Sequence, residues 1–228
     1  MAAARDLLPL LGLAPLLELL TLDLRIQSVS TVEQMMTVSL NELRELTWSN
    51  PAGTFSLTSC LSTPKLHSLT LRVAPNRETQ LIDLASILPP HEGHFPLLAE
   101  PTEIKYTTQQ GTRSCQFQSP TSYISVTALP GEGFEFNTPW FYRNAAIPLE
   151  QIKHMTIQRD YPPLGEFPTE RFKSLEILEL VDCGNDDLTL IRPHPRGPTP
   201  VVPFPALLEV RFAFSSPISL AGLAEILK

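Results

Sequence analysis

Apolar residues along this chain recur in a six-residue pattern, L-x-x-L-x-L, with other apolar side chains allowed at the leucine positions. Copies begin at Leu17, Leu43, Leu66, Ile152, Leu175 and Leu207, and a weaker one lies at Ile104-Lys105-Tyr106. The first three copies are 26 and 23 residues apart and the fourth and fifth 23 apart. The last two are 32 apart, across the proline-rich stretch from His194 to Pro205. Repeats of roughly 20 to 29 residues are the spacing of leucine-rich-repeat proteins. Side chains alternate faces along a strand, so positions four and six of each copy point the same way. Leu20 with Leu22, Leu69 with Leu71 and Leu178 with Leu180 are therefore expected in one core, with position one closing it from the approach turn. A single strand cannot bury such a face, but neighbouring strands stacked at about 4.8 Å can.

The fold class predicted is α/β: an irregular leucine-rich-repeat solenoid, with parallel strands on the concave face and helices or loops on the convex one. It forms a single domain over residues 1–228. Between the strands, helical spacing appears at Val32, Met35, Met36 and Leu40, at Leu81, Leu84, Ala85 and Leu88, and at Leu220, Leu223, Ala224 and Leu227. A short opening helix is expected over Leu7–Leu13 despite Pro9. From about 109 to 148 the repeat gives way to an irregular insert. There Tyr123, Ser125 and Thr127 alternate with Ile124, Val126 and Ala128, followed by the turn-forming Pro130-Gly131-Glu132-Gly133 and by Phe134-Glu135-Phe136. This pattern predicts an inserted β-hairpin. Trp140, Phe141 and Tyr142 follow it, either as a cap on the hairpin core or as an exposed binding anchor.

Composition narrows the function classes. Hydrophobic residues make up 43% of the chain, which argues for a folded domain, and the formal charge of −7 disfavours duplex DNA or an anionic membrane as partner. Proline, at 23 residues, is about twice as frequent as usual. Leu7 to Leu24 is apolar after Arg5, but Pro9, Pro15, Glu18 and Asp23 interrupt it, and no small-x-small cleavage site follows. Three widely spaced cysteines, Cys60, Cys115 and Cys183, form neither a disulfide framework nor a metal knuckle and suit a core. A cytoplasmic or nuclear location follows from these readings.

Phe172-Lys173-Ser174-Leu175-Glu176-Ile177-Leu178-Glu179-Leu180, Phe204-Pro205-Ala206-Leu207-Leu208-Glu209-Val210 and the line from Ile147 to Ile157 resemble the repeat lines of fungal, basidiomycete-type F-box proteins with leucine-rich repeats. Such proteins hold the Skp1 adaptor of a ubiquitin ligase through an F-box and present substrate on the repeats. No F-box helix precedes the first repeat here, so the resemblance implies Skp1 binding only if an F-box lies upstream, as it would for a fragment or a truncated chain. The family's Asn or Cys in the turn is matched by Cys183, while Arg25, Pro51, Ala74, Asp160 and Ser215 stand at the equivalent places. Irregular turns are therefore expected.

Catalytic motifs are not evident. There is no G-x-S-x-G elbow, phosphate-binding loop or H-E-x-x-H. His91-Glu92-Gly93-His94 lacks further ligands at zinc spacing, and Asp182, Asp186 and Asp187 lack the oxygen pattern of a calcium loop. No metal and no cofactor is expected. Binding would instead fall to the concave face, which parity assigns to position five and the residue after position six. These are Thr21 and Asp23, Thr47 and Ser49, Thr70 and Arg72, Thr156 and Gln158, Glu179 and Val181, and Arg211 and Ala213. The set is rich in hydroxyls and suits a protein or peptide more than a phosphate backbone; the bland alternative is a solvated surface. The expected function is a non-catalytic interaction module, the substrate-recognition region of an F-box-type receptor. A hydrolase-like enzyme near the aromatic insert, or a truncated chain without autonomous function, is the alternative.

Overall fold

The computed structural model describes residues 4–23, 37–49, 60–73, 100–109, 112–128, 148–158, 169–182 and 204–214. Helix α1, Ala4–Gly12, opens the chain. The strands are β1 (Leu19–Asp23), β2 (Val38–Ser39), β3 (Glu45–Ser49), β4 (Leu61–Ser62), β5 (Ser68–Val73), β6 (Glu103–Gln109), β7 (Thr112–Gln118), β8 (Tyr123–Ala128), β9 (His154–Gln158), β10 (Ile177–Val181) and β11 (Glu209–Ala213). Each of the six full hexamers thus carries a strand over its second half. Nine strands join one sheet in the order β1-β3-β5-β8-β7-β6-β9-β10-β11, and β2 and β4 form a small parallel pair.

The sheet is mostly parallel. β1, β3, β5 and β8 run the same way, as do β6, β9, β10 and β11. The single reversed strand is β7, antiparallel to both β6 and β8. The hairpin expected in the insert is therefore corrected. Its first strand is β8, but both edges of β8 are already occupied, by β7 and β5, so its antiparallel partner is the preceding Thr112–Gln118. Phe134–Phe136 lies outside the described residues. The departure from the simple repeat also starts earlier than 109, because β6, the weak copy at Ile104-Lys105-Tyr106, already sits three strands away from β5.

Register alignment puts the apolar positions in two rows that cross every strand. One row runs Leu20, Leu46, Leu69, Ile124, Phe117, Ile104, Met155, Leu178, Val210. The next runs Leu22, Trp48, Leu71, Val126, Cys115, Tyr106, Ile157, Leu180, Phe212. All are buried except Val210 and Phe212 on the edge strand, which are partly buried, and all belong to one continuous core. Removing these side chains from water is the main favourable contribution to the fold.

Each of the six hexamer strands (β1, β3, β5, β9, β10 and β11) is entered through the same tight turn. The N–H of position one bonds the carbonyl three residues earlier: Leu17 to Ala14, Leu43 to Leu40, Leu66 to Thr63, Ile152 to Leu149, Leu175 to Phe172, and Leu207 to Phe204. Proline follows the first turn residue at Pro15, Pro64 and Pro205, where its fixed φ is already that of the turn, so part of the proline excess has a structural role. The first turn residue is itself core: Leu40, Leu149, Phe172 and Phe204 are buried, and Phe172 meets Phe204 edge to face at 6.4 Å. Thr63 occupies the same slot, fully buried, and its hydroxyl has no hydrogen-bond partner among the described residues.

A second device repeats between coils. The carbonyl of position two accepts two N–H groups from the adjoining coil: Glu18 from Arg44 and Glu45, Arg44 from His67 and Ser68, Thr102 from Lys153 and His154, Lys153 from Glu176 and Ile177, and Glu176 from Leu208 and Glu209. These bonds satisfy backbone groups at the strand entrance and pin the register of the stack.

The opening helix is present, with Leu8 and Leu11 buried and Leu10 and Leu13 exposed, and it packs against β2. The helical reading from Thr31 to Leu40 fails at its described end. Val38–Ser39 is extended and pairs with Leu61–Ser62, so cross-strand pairing overrides the helical spacing there. The helices expected at Thr79–Leu88 and Ser219–Leu227 lie outside the described residues.

Candidate functional site

The side of the sheet opposite the core is a polar grid set by the same register. Its middle row runs Thr21, Thr47, Thr70, Ser125, Gln116, Lys105, Thr156, Glu179, Arg211. The row at the strand exits runs Asp23, Ser49, Arg72, Thr127, Ser114, Thr107, Gln158, Val181, Ala213. The ten residues singled out from sequence as partner-facing (Thr21, Asp23, Thr47, Ser49, Thr70, Arg72, Thr156, Gln158, Glu179 and Arg211) all stand on this one face. Alternation with buried neighbours is what places them there.

Sequence reasoning missed the middle of the grid. Ser125 and Thr127 of β8, Ser114 and Gln116 of β7, and Lys105 and Thr107 of β6 fill the gap between Thr70 and Thr156. Alternation of Cys115 and Phe117 with Ser114, Gln116 and Gln118 was the available signal. Trp140, Phe141 and Tyr142 lie outside the described residues.

The grid changes character along its length. Across β9 to β11 its groups hold one another. Thr156 Oγ1 donates to Glu179 Oε2 at 3.0 Å, and His154 Nε2 lies 3.9 Å from the same oxygen. Arg211 donates to both carboxylate oxygens of Glu209, at 2.9 and 3.0 Å. That contact holds the Glu209 carboxyl below its ordinary range and raises the Arg211 guanidinium, although both are exposed. Across β5 to β6 the face is hydroxyl and amide, with Thr107 and Ser114 hydrogen-bonded to each other. Arg72 and Lys105 are exposed there, and neither has an ion-pair partner among the described residues.

Ion pairs elsewhere sit at the turns. Lys65 meets Glu42 at 2.7 Å, Lys153 meets Glu176 at 3.4 Å, and Arg171 meets Glu150 at 3.8 Å. Each links one coil to its neighbour.

Cys60 and Cys115 are buried, as the sequence reading placed them. Burial pushes both thiols up, Cys115 strongly, with the nearby Tyr106 side chain across the β6–β7 pair partly opposing it. A thiol held protonated in this way is a poor nucleophile. No group of three His, Cys, Asp or Glu side chains that could hold a metal occurs among the described residues. Asp182 adopts a left-handed φ of 54° directly after β10, and its N–H bonds the Ala213 carbonyl at 2.8 Å. Asp182 therefore acts as a strand-ending turn residue; Asp186, Asp187, Cys183 and the His91–His94 segment lie outside the described residues. Among those described, no helix is long and apolar enough to cross a membrane.

Compared with protein-family models, with curated proteins and with solved structures, the chain matches none.

Proposed function

We propose that this chain is a non-catalytic protein-interaction module: a leucine-rich-repeat solenoid whose polar sheet face holds a polypeptide partner. By its likeness to fungal F-box proteins, it would be the substrate-recognition region of a ubiquitin-ligase receptor, working in the cytoplasm or nucleus. The observation that supports this reading most is the continuity of the grid. Nine strands carry aligned polar positions over a single core, and in the two polar rows β8 and β7 present hydroxyls and an amide. Such groups donate and accept at fixed intervals without the entropy cost of long side chains, which suits recognition of an extended chain.

The test is a comparison of variants of the full chain. Thr47→Glu with Thr70→Glu places two charged groups on the face without touching the core, and Lys173→Glu places one at a turn. Partners captured by the wild type should be lost with the first variant and retained with the second. Retention by both overturns the reading. Purified Skp1 should not bind this chain alone, because its only expected route is an F-box upstream.

A further inference from the structure

We infer that the partner's docked segment is anionic: an extended polypeptide with two carboxylate side chains four residues apart, held by Arg72 and Lys105. The inference rests on the interaction reading above and gives it a chemistry. On a chain of net charge −7, nearby acids neutralise four of the described cations. Lys65, Lys153, Arg171 and Arg211 each meet a glutamate. Arg72 and Lys105 are the two cations on the described sheet face that do not, and both are exposed.

Their positions are related by register. Arg72 on β5 and Lys105 on β6 are separated by β8 and β7, three strand spacings or about 14 Å, and by one row, about 7 Å along the strands. The separation is therefore about 16 Å between backbone positions, and the nearest same-face step of an extended peptide is four residues, about 13 Å, within the reach of the long Arg and Lys side chains. Between the two cations lie the half-buried Thr127, Gln116 and Ser114, neutral groups that can bond a peptide backbone without repelling acids. Of the acids on this face, Glu179 and Glu209 are engaged by Thr156 and Arg211, and the exposed Glu103 of β6 stands one row from Lys105 on the side away from Arg72. Two point charges flanking a neutral polar track fit a polypeptide with spaced acids. A nucleic-acid backbone would call for a continuous run of cations.

The experiment is fluorescence anisotropy with labelled fifteen-residue Ser/Asn peptides carrying two Glu residues at i and i+4, i and i+5, or i and i+8. The four-residue spacing should bind tightest, because it points both carboxylates at the sheet. Arg72→Gln or Lys105→Gln should each weaken it about tenfold, the loss of one charge-assisted contact, while Lys173→Gln changes nothing. Equal affinity at every spacing, indifference to both substitutions, or no saturable binding below about 1 mM overturns the inference. Tighter binding of a single-stranded RNA of equal length overturns it in favour of a nucleic acid. If captured partners survive Arg72→Gln with Lys105→Gln but are lost with the Thr47→Glu, Thr70→Glu variant, the interaction reading stands and the anionic partner alone is refuted.

Discussion

Thr63 offers the sharpest test of how the coils are built. In four other coils the residue that begins the entry turn is Leu or Phe and lies in the core, whereas here it is a threonine with no solvent exposure. Its hydroxyl finds no partner among the described residues. A buried hydroxyl without a hydrogen bond costs about 1–3 kcal/mol of desolvation. Thr63→Val keeps the branched shape and replaces the oxygen by a methyl group, so the turn bond from Leu66 N–H to the residue 63 carbonyl, at 3.1 Å, is untouched. Taking the lower end of that range, the variant should gain about 1 kcal/mol, and its melting temperature should rise by about 2–4 °C for a chain of this size. The complementary change, Leu149→Thr, introduces the same orphan where a fully buried leucine now sits and should lose about 2–4 kcal/mol. Urea titrations of the three proteins supply the numbers, with the slope m expected to stay constant while the midpoint moves. A Thr63→Val protein no more stable than the wild type would show that the hydroxyl is satisfied and that the turn apex is not a purely apolar slot.

Three further outcomes follow from the same structure. Leu178→Ala, at a fully buried site between β9 and β11, should cost about 2–5 kcal/mol, whereas Thr70→Ala on the polar face should stay within about 0.5 kcal/mol; thermal melts separate the two. Cys115 should resist alkylation in the folded protein and react in urea. Because burial raises its folded pKa, its contribution to stability is complete below the unfolded value near 8.5 and declines as pH rises towards the folded value. The stability of the wild type should therefore fall in alkaline solution by up to about 1.4 kcal/mol per pH unit for this thiol, and Cys115→Ala should remove that slope. Lys65→Met, which breaks an exposed pair with Glu42, should cost no more than about 1 kcal/mol, and the difference from wild type should shrink in 1 M salt (a screening length of about 3 Å).

The hexamer strands were legible because the chain states their two-residue period openly. Leu, Trp, Met or Ile at positions four and six needs only local alternation to be read as an inward pair. Strand order was not legible. β6, β7 and β8 alternate in the same way whether they pair parallel or antiparallel, and what places β6 beside β9 is a partner some fifty residues further along. For that reason Lys105 and Gln116 were missing from the expected face, although Thr70 and Thr156 on either side were present. The entry turns were half visible: Phe172 and Phe204 appear in the repeat lines, but Leu40 looked like part of a helical stripe until β2 paired with β4. The core role of Thr63 had no local signal, since a threonine before a proline reads as an ordinary turn.

The reversed strand β7 has a consequence for how this architecture can change. Going from β5 to β8, β7, β6 and then β9, direction flips twice and is restored, so β5 and β9 point the same way. The three-strand excursion is thus polarity-neutral: a cassette with an odd number of strands can enter or leave the stack without inverting either half. Ser68 and His154 occupy the same row on its two flanks, so excision would bring compatible edges together, row for row. The middle of the face can therefore vary in width while the coils on either side keep their inward and outward sense.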